Sequence, residues 1–281
     1  MFKIDMVMLF QNGFKISRKT NRKEEIDMHI STKFDFDKIP SHEEFNVRLM
    51  VEIESEPNSN RIGKPLNLAL VLDRSGSMHG NKLQYVKEAA KTLVNNLDKD
   101  DHFSVTVFDS NIEPLIPPVK AGQAYGIEEV IDGIVTGDTT NLSGGYQQGC
   151  AFAKEKIDGE NISRVMLLTD GLANRGIADP DQLADIAGTM QVDGISTTTI
   201  GVGEEYNEFL LGKMAENGGG GAYFIENPND APSVFEEELG YLKSLAASDF
   251  NLKIVLTDKN IHFNQLNTYR ITNGNRPVTM R

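Results

Sequence analysis

The sequence has no tryptophan and a single cysteine, Cys150, among its 281 residues. One cysteine excludes an internal disulfide, whereas small secreted domains usually depend on several disulfides. We therefore expect a reducing, cytoplasmic location for this chain. Cys150 falls in a helix-like run of small residues, so we predict that its side chain is a buried apolar filler.

Long apolar runs and an excess of basic residues are also missing. Asp5 interrupts the apolar N-terminal stretch MFKIDMVMLF, and no small-residue cleavage site follows, so the sequence predicts neither a signal peptide nor a membrane span. With 28 Lys and Arg against 41 Asp and Glu, the formal net charge is −13. An acidic surface repels nucleic-acid phosphates and anionic lipid headgroups. We expect neither nucleic acid nor membrane as a partner, and we expect a monomer.

Both ends of the sequence alternate between apolar and polar residues, a period that is typical of strands with one buried face. Apolar residues occupy every second position in the stretches 2–10, 26–30, 34–36, 45–53 and 252–256. Asn12-Gly13 lies between two apolar runs and predicts a hairpin. We predict that segments 1–62 and 248–281 pair with each other in one antiparallel β module.

The middle of the chain, residues 63–247, has a different pattern. Short, nearly continuous apolar runs predict strands that helices cover on both faces, and stretches with helical spacing separate them. The predicted strands are 67–72, 103–108, 112–116, 165–168, 195–202 and 222–225. The predicted helices are 83–97, 127–135, 143–157, one opened by Asp179-Pro180, 207–216 and 232–245. This order predicts a Rossmann-like, doubly wound α/β domain with a mostly parallel sheet, inserted in the β module.

Three loops of this domain carry oxygen ligands. The first buried strand ends in Asp73-Arg74-Ser75-Gly76-Ser77-Met78, a later strand ends in Thr169-Asp170-Gly171, and Asp138-Thr139-Thr140-Asn141 precedes a helix. Ligands of open α/β sheets bind outside the carboxyl ends of the strands, where both aspartates fall. Carboxylates and hydroxyls suit a hard cation such as Mg²⁺, and the five scattered histidines form no H-x-x-x-H pair that would indicate zinc.

This combination resembles the von Willebrand factor A domain, which has D-x-S-x-S after its first strand, a Thr in a later loop and an Asp in a T-D-G turn. The resemblance covers residues 66 to about 247, with the motifs in the same order. The stretches KLQYVKEAAKTLV, TNLSGG, LLTDGLANRGI, STTTIGVG and AYFIENP are similar to a group of bacterial proteins with this domain. The flanking strands resemble that group too, and more loosely the inter-α-trypsin inhibitor heavy chains.

The resemblance implies a metal-ion-dependent adhesion site (MIDAS). Ser75 and Ser77 would bind the metal through their hydroxyls, Thr140 would join them when a ligand is bound, and Asp73 and Asp170 would act mostly through waters. The expected metal is Mg²⁺ or Mn²⁺, with Ca²⁺ as a further option. The expected rim around it consists of Gly76, Met78, Asp138, Thr139 and Asn141. The chain has Gly137-Asp138 where the family often has Gly-Gly. Thr139 stays open as an alternative to Thr140, although Thr140 keeps the spacing to Asn141-Leu142.

A metal that touches only neutral hydroxyls keeps an uncompensated charge and attracts an anionic ligand. We therefore expect a protein partner that presents an Asp or Glu, in adhesion or assembly, and no enzymatic activity. A structural module with a constitutively occupied metal site remains an alternative. A magnesium-dependent hydrolase of the haloacid dehalogenase type needs a second Asp where this chain has Ser75, and no glycine-rich nucleotide motif follows the first strand.

Four residues near these loops are predicted to have ordinary structural roles. We expect Lys82 and Lys87 to lie on the polar, solvated face of the first helix. Thr169 is expected to pack or to cap, and not to bind metal. His79 is expected at the surface.

Overall fold

The chain divides into two units, one of residues 63–243 and one that combines residues 1–62 with 244–281. The computed structural model describes residues 6–8, 28–35, 46, 48–55, 64–227, 230–244, 250–254 and 277–280. Whether the predicted segments 1–62, 63–247 and 248–281 behave as domains stays a proposal.

Eleven strands and six helices make up the described regular structure. The strands are β1 (Met6–Met8), β2 (Met28–Phe34), β3 (Leu49–Ser55), β4 (Leu66–Asp73), β5 (His102–Phe108), β6 (Ile112–Lys120), β7 (Ile162–Thr169), β8 (Ile195–Val202), β9 (Gly219–Ile225), β10 (Phe250–Ile254) and β11 (Pro277–Met280). The helices are α1 (Asn81–Asn95), α2 (Ile127–Asp132), α3 (Leu142–Glu155), α4 (Pro180–Val192), α5 (Glu208–Gly218) and α6 (Ala231–Ser244). No helix in this described part is both long and apolar enough to cross a lipid bilayer.

A six-stranded sheet in the order β6-β5-β4-β7-β8-β9 forms the centre of unit 63–243. Neighbouring strands are parallel except at β5 and β6, which are antiparallel. Counted from β4 as the first, this is the 3-2-1-4-5-6 order of a Rossmann-like sheet. The predicted fold class is therefore confirmed for this unit. All eight residues of β4 and of β7 are buried, as their continuous apolar pattern predicted.

Helices cover the sheet on both faces. Helices α3, α4 and α5 share an apolar cluster with Ala69 of β4 and Val165 of β7, and Cys150 belongs to this cluster, buried as predicted. Alternate strand residues point to opposite faces. Arg164, the neighbour of Val165, is hydrogen-bonded to Glu238 of α6, so α6 lies on the other face. Helix α1 contacts β4, β8 and α2.

Two edge strands differ from the prediction. β6 extends to Lys120, beyond the predicted end at 116, although it contains three prolines. An edge strand tolerates proline because one of its sides makes no ladder hydrogen bonds. β9 begins at Gly219, before the predicted start at 222. A Cβ on Gly220 would lie 2.2 Å from the carbonyl oxygen of Thr197, so the glycines allow β9 to approach β8 closely.

The second unit contains two small sheets. β2 and β3 are strands, as the alternation of their residues predicted, and they pair antiparallel with Met28 opposite Ser55. β10 pairs antiparallel with β11, but it pairs parallel with β1. The N- and C-terminal segments thus do pair, and the prediction that this pairing is antiparallel is wrong for β1 and β10. The hairpin predicted at Asn12-Gly13 lies outside the described residues.

Candidate metal centre

The candidate site lies where the sheet changes its direction of winding. β4 and β7 are adjacent and parallel, with Leu72 opposite Leu168, so their carboxyl ends meet at one edge. The chain turns from β4 into α1 on one face and from β7 towards α4 on the other face. The crevice that this divergence opens is the usual ligand site of doubly wound sheets. Asp73 and Asp170 stand at this point.

Asp73 is completely buried at the end of β4. One carboxylate oxygen accepts a hydrogen bond from the backbone N–H of Ser75 at 2.8 Å, and the other accepts one from the Thr169 hydroxyl at 2.5 Å. The pKa of Asp73 is raised to about 6, mainly by burial and to a smaller extent by the negative charge of Asp170, while these hydrogen bonds act in the opposite direction. Thr169 therefore holds a carboxylate in place, which fits its predicted structural role.

The loop after β4 presents two hydroxyls. Ser75 is buried and Ser77 is exposed, and their Oγ atoms are 3.2 Å apart. A short 3-10 turn, Gly76–Met78, brings them to the same side. The N–H of Gly76 donates to the carbonyl oxygen of Asp138 at 2.6 Å, which ties this loop to the second one.

The second loop, residues 137–141, is held from both ends. The N–H of Gly137 donates to the carbonyl oxygen of Arg74 at 2.7 Å, and the N–H of Asn141 donates to that of Asp109 at 2.9 Å. Asp109 is itself paired with the Arg74 guanidinium at 3.1 Å. A Cβ on Gly137 would lie 1.8 Å from a carboxylate oxygen of Asp109, so this close approach requires glycine.

Thr140 is buried and is linked to the third loop. Its backbone N–H donates to the side-chain oxygen of Asn174 at 2.8 Å, and its carbonyl oxygen accepts hydrogen bonds from the N–H groups of Asn174 and Arg175. Thr139 is exposed. Thr140 is therefore the better candidate of the two, because its backbone is fixed against the loop that follows Asp170.

Asp170 is completely buried, and its carboxylate has a partner that the sequence reasoning missed. One oxygen accepts from the N–H of Leu172 at 3.2 Å, and the other accepts from the ammonium of Lys82 at 3.1 Å. The prediction that Lys82 is a solvated helix residue is wrong, since its side chain is 25% exposed and ion-paired. A signal was available: Lys82 is the second residue of α1, where the helix dipole disfavours a cation.

Some of the predicted rim residues are exposed, whereas Met78 and Asn141 have other roles. Gly76, Asp138 and Thr139 are exposed, and so is His79, as expected. Met78 is completely buried, so its prediction as a rim residue is wrong. Asn141 caps α3, its side-chain oxygen accepting from the N–H of Gly144 at 3.1 Å, which commits this side chain to the helix.

Lys87 is the second lysine of α1 that the sequence placed in solvent. Its side chain is buried, and its ammonium donates to the carbonyl oxygen of Asp132 at 2.9 Å. The prediction is therefore wrong for Lys87 as well. Its role is to link α1 to the end of α2.

The donor set of the site fits a small divalent cation. Two fully buried carboxylates and the Ser75–Ser77 hydroxyl pair supply hard oxygen atoms, which Mg²⁺, Mn²⁺ and Ca²⁺ prefer. Within the described residues, no group of three or more His, Cys, Asp or Glu is placed to hold a metal. A metal ion at the candidate site would therefore need hydroxyl ligands as well as carboxylates. Burial raises the pKa of Asp73 by disfavouring the ionised form, and a nearby positive charge would favour that form.

Fold and site together define an α/β domain that carries carboxylate and hydroxyl oxygens at the switch point of its sheet. The von Willebrand factor type A domain matches residues 67–237, and the chain belongs to this family. This match confirms the sequence resemblance at the level of the family. Members of the family often mediate protein–protein interactions that depend on a divalent metal.

Curated relatives include bacterial proteins of unknown function. The uncharacterized protein sll0103 of Synechocystis is 31% identical over 212 residues, which are 75% of this chain and 49% of that protein. YfbK of Escherichia coli is 26% identical over 73% of this chain and 36% of its own length. Human inter-alpha-trypsin inhibitor heavy chain H3 is 26% identical over 59% of this chain and 20% of its own length. The chain thus spans half or less of these relatives.

Solved structures share the fold. A von Willebrand factor type A protein from Catenulispora acidiphila superposes with a TM-score of 0.59 at 16% identity, covering 78% of this chain and 50% of that one. The ArnB paralog VWA2 from Sulfolobus acidocaldarius gives 0.57 at 24% identity, over 75% and 54% of the two chains. Proximal thread matrix protein 1 from the mussel byssus, solved with a zinc-occupied MIDAS motif, gives 0.51 at 18% identity, over 63% and 48%.

Proposed function

We propose that this protein binds other proteins through a divalent metal ion held by Asp73, Ser75, Ser77, Thr140 and Asp170. One observation carries the proposal: two completely buried carboxylates end adjacent strands beside a pair of hydroxyls 3.2 Å apart. Two buried negative charges in one crevice are costly unless a cation compensates them. The ion is Mg²⁺ or Mn²⁺, with Ca²⁺ also compatible with these oxygen donors.

The hydrogen bonds of the two carboxylates support the roles that the resemblance gave them. Asp73 directs one oxygen to Ser75 and the other to Thr169, so it orients the serine loop. Ser75 and Ser77 then present neutral oxygens to the ion, and Thr140 adds a third when a ligand is bound. Neutral donors leave much of the ion's charge uncompensated, which favours a ligand with a negative charge.

The ligand in this proposal is an Asp or Glu of a partner protein. The chain has a formal net charge of −13, so a free acidic group approaching it meets repulsion, and the ion converts this point of the surface into an attractive one. Gly76, Asp138 and Thr139 of the expected rim are exposed to solvent, where a partner would approach. The site has a binding role in adhesion or assembly and no catalytic one, in a monomeric, cytoplasmic protein.

The zinc-occupied MIDAS motif of the mussel thread protein supports the proposal, because a domain of the same fold holds a metal at that motif. The structural alternative has the same metal site but no partner. It predicts that the ion stabilises the protein and that no binding to an acidic partner depends on it.

The test is calorimetric titration of Mg²⁺ and Mn²⁺ into the wild type, Asp73→Asn and a matched control, Asp101→Asn. Asp101 is also a buried aspartate with two backbone hydrogen bonds, from Leu66 at 2.7 Å and from Asp98 at 2.8 Å. It lies at the opposite end of the strands, before β5. Both substitutions remove one buried charge, but Asp73→Asn alone is expected to abolish saturable metal binding.

Equal loss of binding in both variants, or metal binding by Asp73→Asn as tight as by the wild type, would contradict the proposed site. Capture of a partner by immobilised protein, with and without EDTA, then separates the two roles. Binding that disappears with EDTA and returns with Mg²⁺ supports the adhesive function. Absence of any partner binding that depends on the ion supports the structural alternative.

A further inference from the structure

Lys82 contacts the candidate metal site although no motif includes it. Its ammonium lies 3.1 Å from a carboxylate oxygen of Asp170, which is completely buried, while the lysine side chain is 25% exposed. The other oxygen of Asp170 is occupied by the N–H of Leu172. The ammonium therefore occupies the one oxygen of Asp170 that is not held by the backbone.

The position of Lys82 is fixed by packing and not merely by charge. A Cβ on Gly203, just beyond the end of β8, would lie 2.5 Å from Cε of Lys82 and 3.3 Å from its Cδ. Gly203 has a φ of +83°, a conformation that disfavours other residues. The glycine thus leaves a slot for the aliphatic part of the lysine, and the slot directs the ammonium at Asp170.

Lys82 lies at a position of α1 that is unfavourable for a cation. Lys82 is the second residue of α1, which has no acidic residue in its first turn and no side-chain cap. The positive end of the helix dipole disfavours a cation there. The contact with Asp170 offsets that disadvantage. Among the described residues it is the one ion pair that Lys82 makes.

We propose that Lys82 is an internal competitor of the metal: its ammonium neutralises Asp170 in the metal-free protein and must leave that oxygen when the ion binds. This inference rests on the proposed function, because it concerns the same site. Asp73 and Asp170 cannot both remain charged and buried without a cation nearby. Lys82 supplies one positive charge when the metal supplies none.

The competition has a consequence for regulation. The metal must displace a tethered cation, so the site fills at a higher concentration of free divalent ion than the oxygen donors alone would require. Two coupled binding events typically change each other's affinity by about 5- to 150-fold. Displacement of the ammonium is therefore expected to weaken metal binding about tenfold.

The experiment compares the metal affinity of the wild type with that of Lys82→Met, Lys82→Arg and Lys91→Met. Lys82→Met keeps the aliphatic chain and removes the charge, whereas Lys82→Arg keeps the charge. Lys91→Met is the matched control, since Lys91 is on the same helix but pairs with Glu88 and Asp132 away from the site. Mg²⁺ and Mn²⁺ are titrated calorimetrically, and thermal unfolding is followed in EDTA and in excess metal.

We expect Lys82→Met to bind both ions about tenfold more tightly than the wild type, while Lys82→Arg and Lys91→Met remain close to the wild type. In EDTA, Lys82→Met should melt below Lys91→Met because Asp170 has lost its partner, and excess metal should remove that difference. A structural role alone would lower the melting temperature in both conditions.

Equal or weaker metal binding by Lys82→Met would overturn the competition while leaving the metal site itself established by the wild type. Tighter binding by Lys91→Met as well would overturn it too, because the effect would then be one of net charge. Absence of metal binding in every variant would overturn both this inference and the proposed function.

Discussion

Replacement of Glu238 by glutamine is expected to destabilise the protein strongly, because it leaves a buried guanidinium without its counter-ion. Glu238 of α6 pairs with Arg164 of β7, and their side chains are 1% and 3% exposed. The same carboxylate accepts hydrogen bonds from the hydroxyl of Thr198 at 2.6 Å and from that of Tyr223 at 2.9 Å. Arg164 also donates to Ser196 at 2.9 Å. The pair therefore links α6 to three strands.

The magnitude follows from this burial. Removing one partner of a fully buried ion pair costs about 3–5 kcal/mol, because the remaining charge cannot be hydrated. In a domain of this size, each kcal/mol lowers the melting temperature by about 2–4 °C. Glu238→Gln is thus expected to lower it by about 6–20 °C. Thermal and urea unfolding, followed by far-ultraviolet circular dichroism in EDTA, would measure the change.

The control is Asp193→Asn, which breaks an ion pair with Lys154 in which both side chains are nearly half exposed. An exposed pair contributes about 0–1 kcal/mol, so this variant should unfold close to the wild type. The double variant Arg164→Met with Glu238→Leu should recover part of the loss, because no charge is then left buried. If Glu238→Gln were no less stable than Asp193→Asn, the reasoning about the buried pair would be refuted.

Two further predictions concern the metal-site loop and the single thiol. Gly137→Ala should weaken Mg²⁺ binding at least tenfold in calorimetry, because its Cβ collides with Asp109 and displaces the loop of Thr140; overpacking of this kind costs about 1–3 kcal/mol. Burial raises the pKa of the Cys150 thiol to about 12, so native protein should not react with iodoacetamide at pH 8.5, whereas urea-unfolded protein should react within minutes.

Each of these predictions has its own control. Gly133→Ala introduces the same methyl group near the second loop, but its Cβ would approach no atom closer than 3.4 Å. This variant should bind Mg²⁺ as the wild type does, and similar weakening in both would show that the collision at Gly137 is not the cause. Rapid alkylation of Cys150 in the native protein would contradict its burial in the apolar cluster.

The sequence predicted those elements whose local pattern matches their environment. β4 and β7 lie between two layers of helices, so each contains a run of apolar residues that is easy to recognise. Asp179 caps α4 by accepting from the N–H of Gln182, with Pro180 at the first position, as the dipeptide predicted. The loops of Asp73 and Asp170 were found because buried strands end there, and the loop of Thr140 was found because it precedes α3.

Contacts between distant parts of the chain could not be predicted in the same way. Lys82 and Lys87 lie on a helix whose apolar stripe indicates a solvated face, but their partners are at Asp170 and Asp132, far away in sequence. Met78 follows the motif directly, and no periodicity in so short a turn tells which side chain points inward. Alternation likewise predicted β1 and β10 as strands but not that they run parallel, since side-chain period does not encode strand direction.

The hydrogen bond from Thr169 to Asp73 joins residues 96 positions apart. Closing so long a loop is entropically unfavourable, and the pairing of β4 with β7 is what brings the two carboxylates together. On the proposed function, an unfolded chain offers no such site, and the ion therefore binds the native state alone. At one hundred times its dissociation constant, such a ligand adds about 2.7 kcal/mol to the free energy of unfolding. Partner binding that depends on the ion would then be limited to chains whose central sheet has folded correctly.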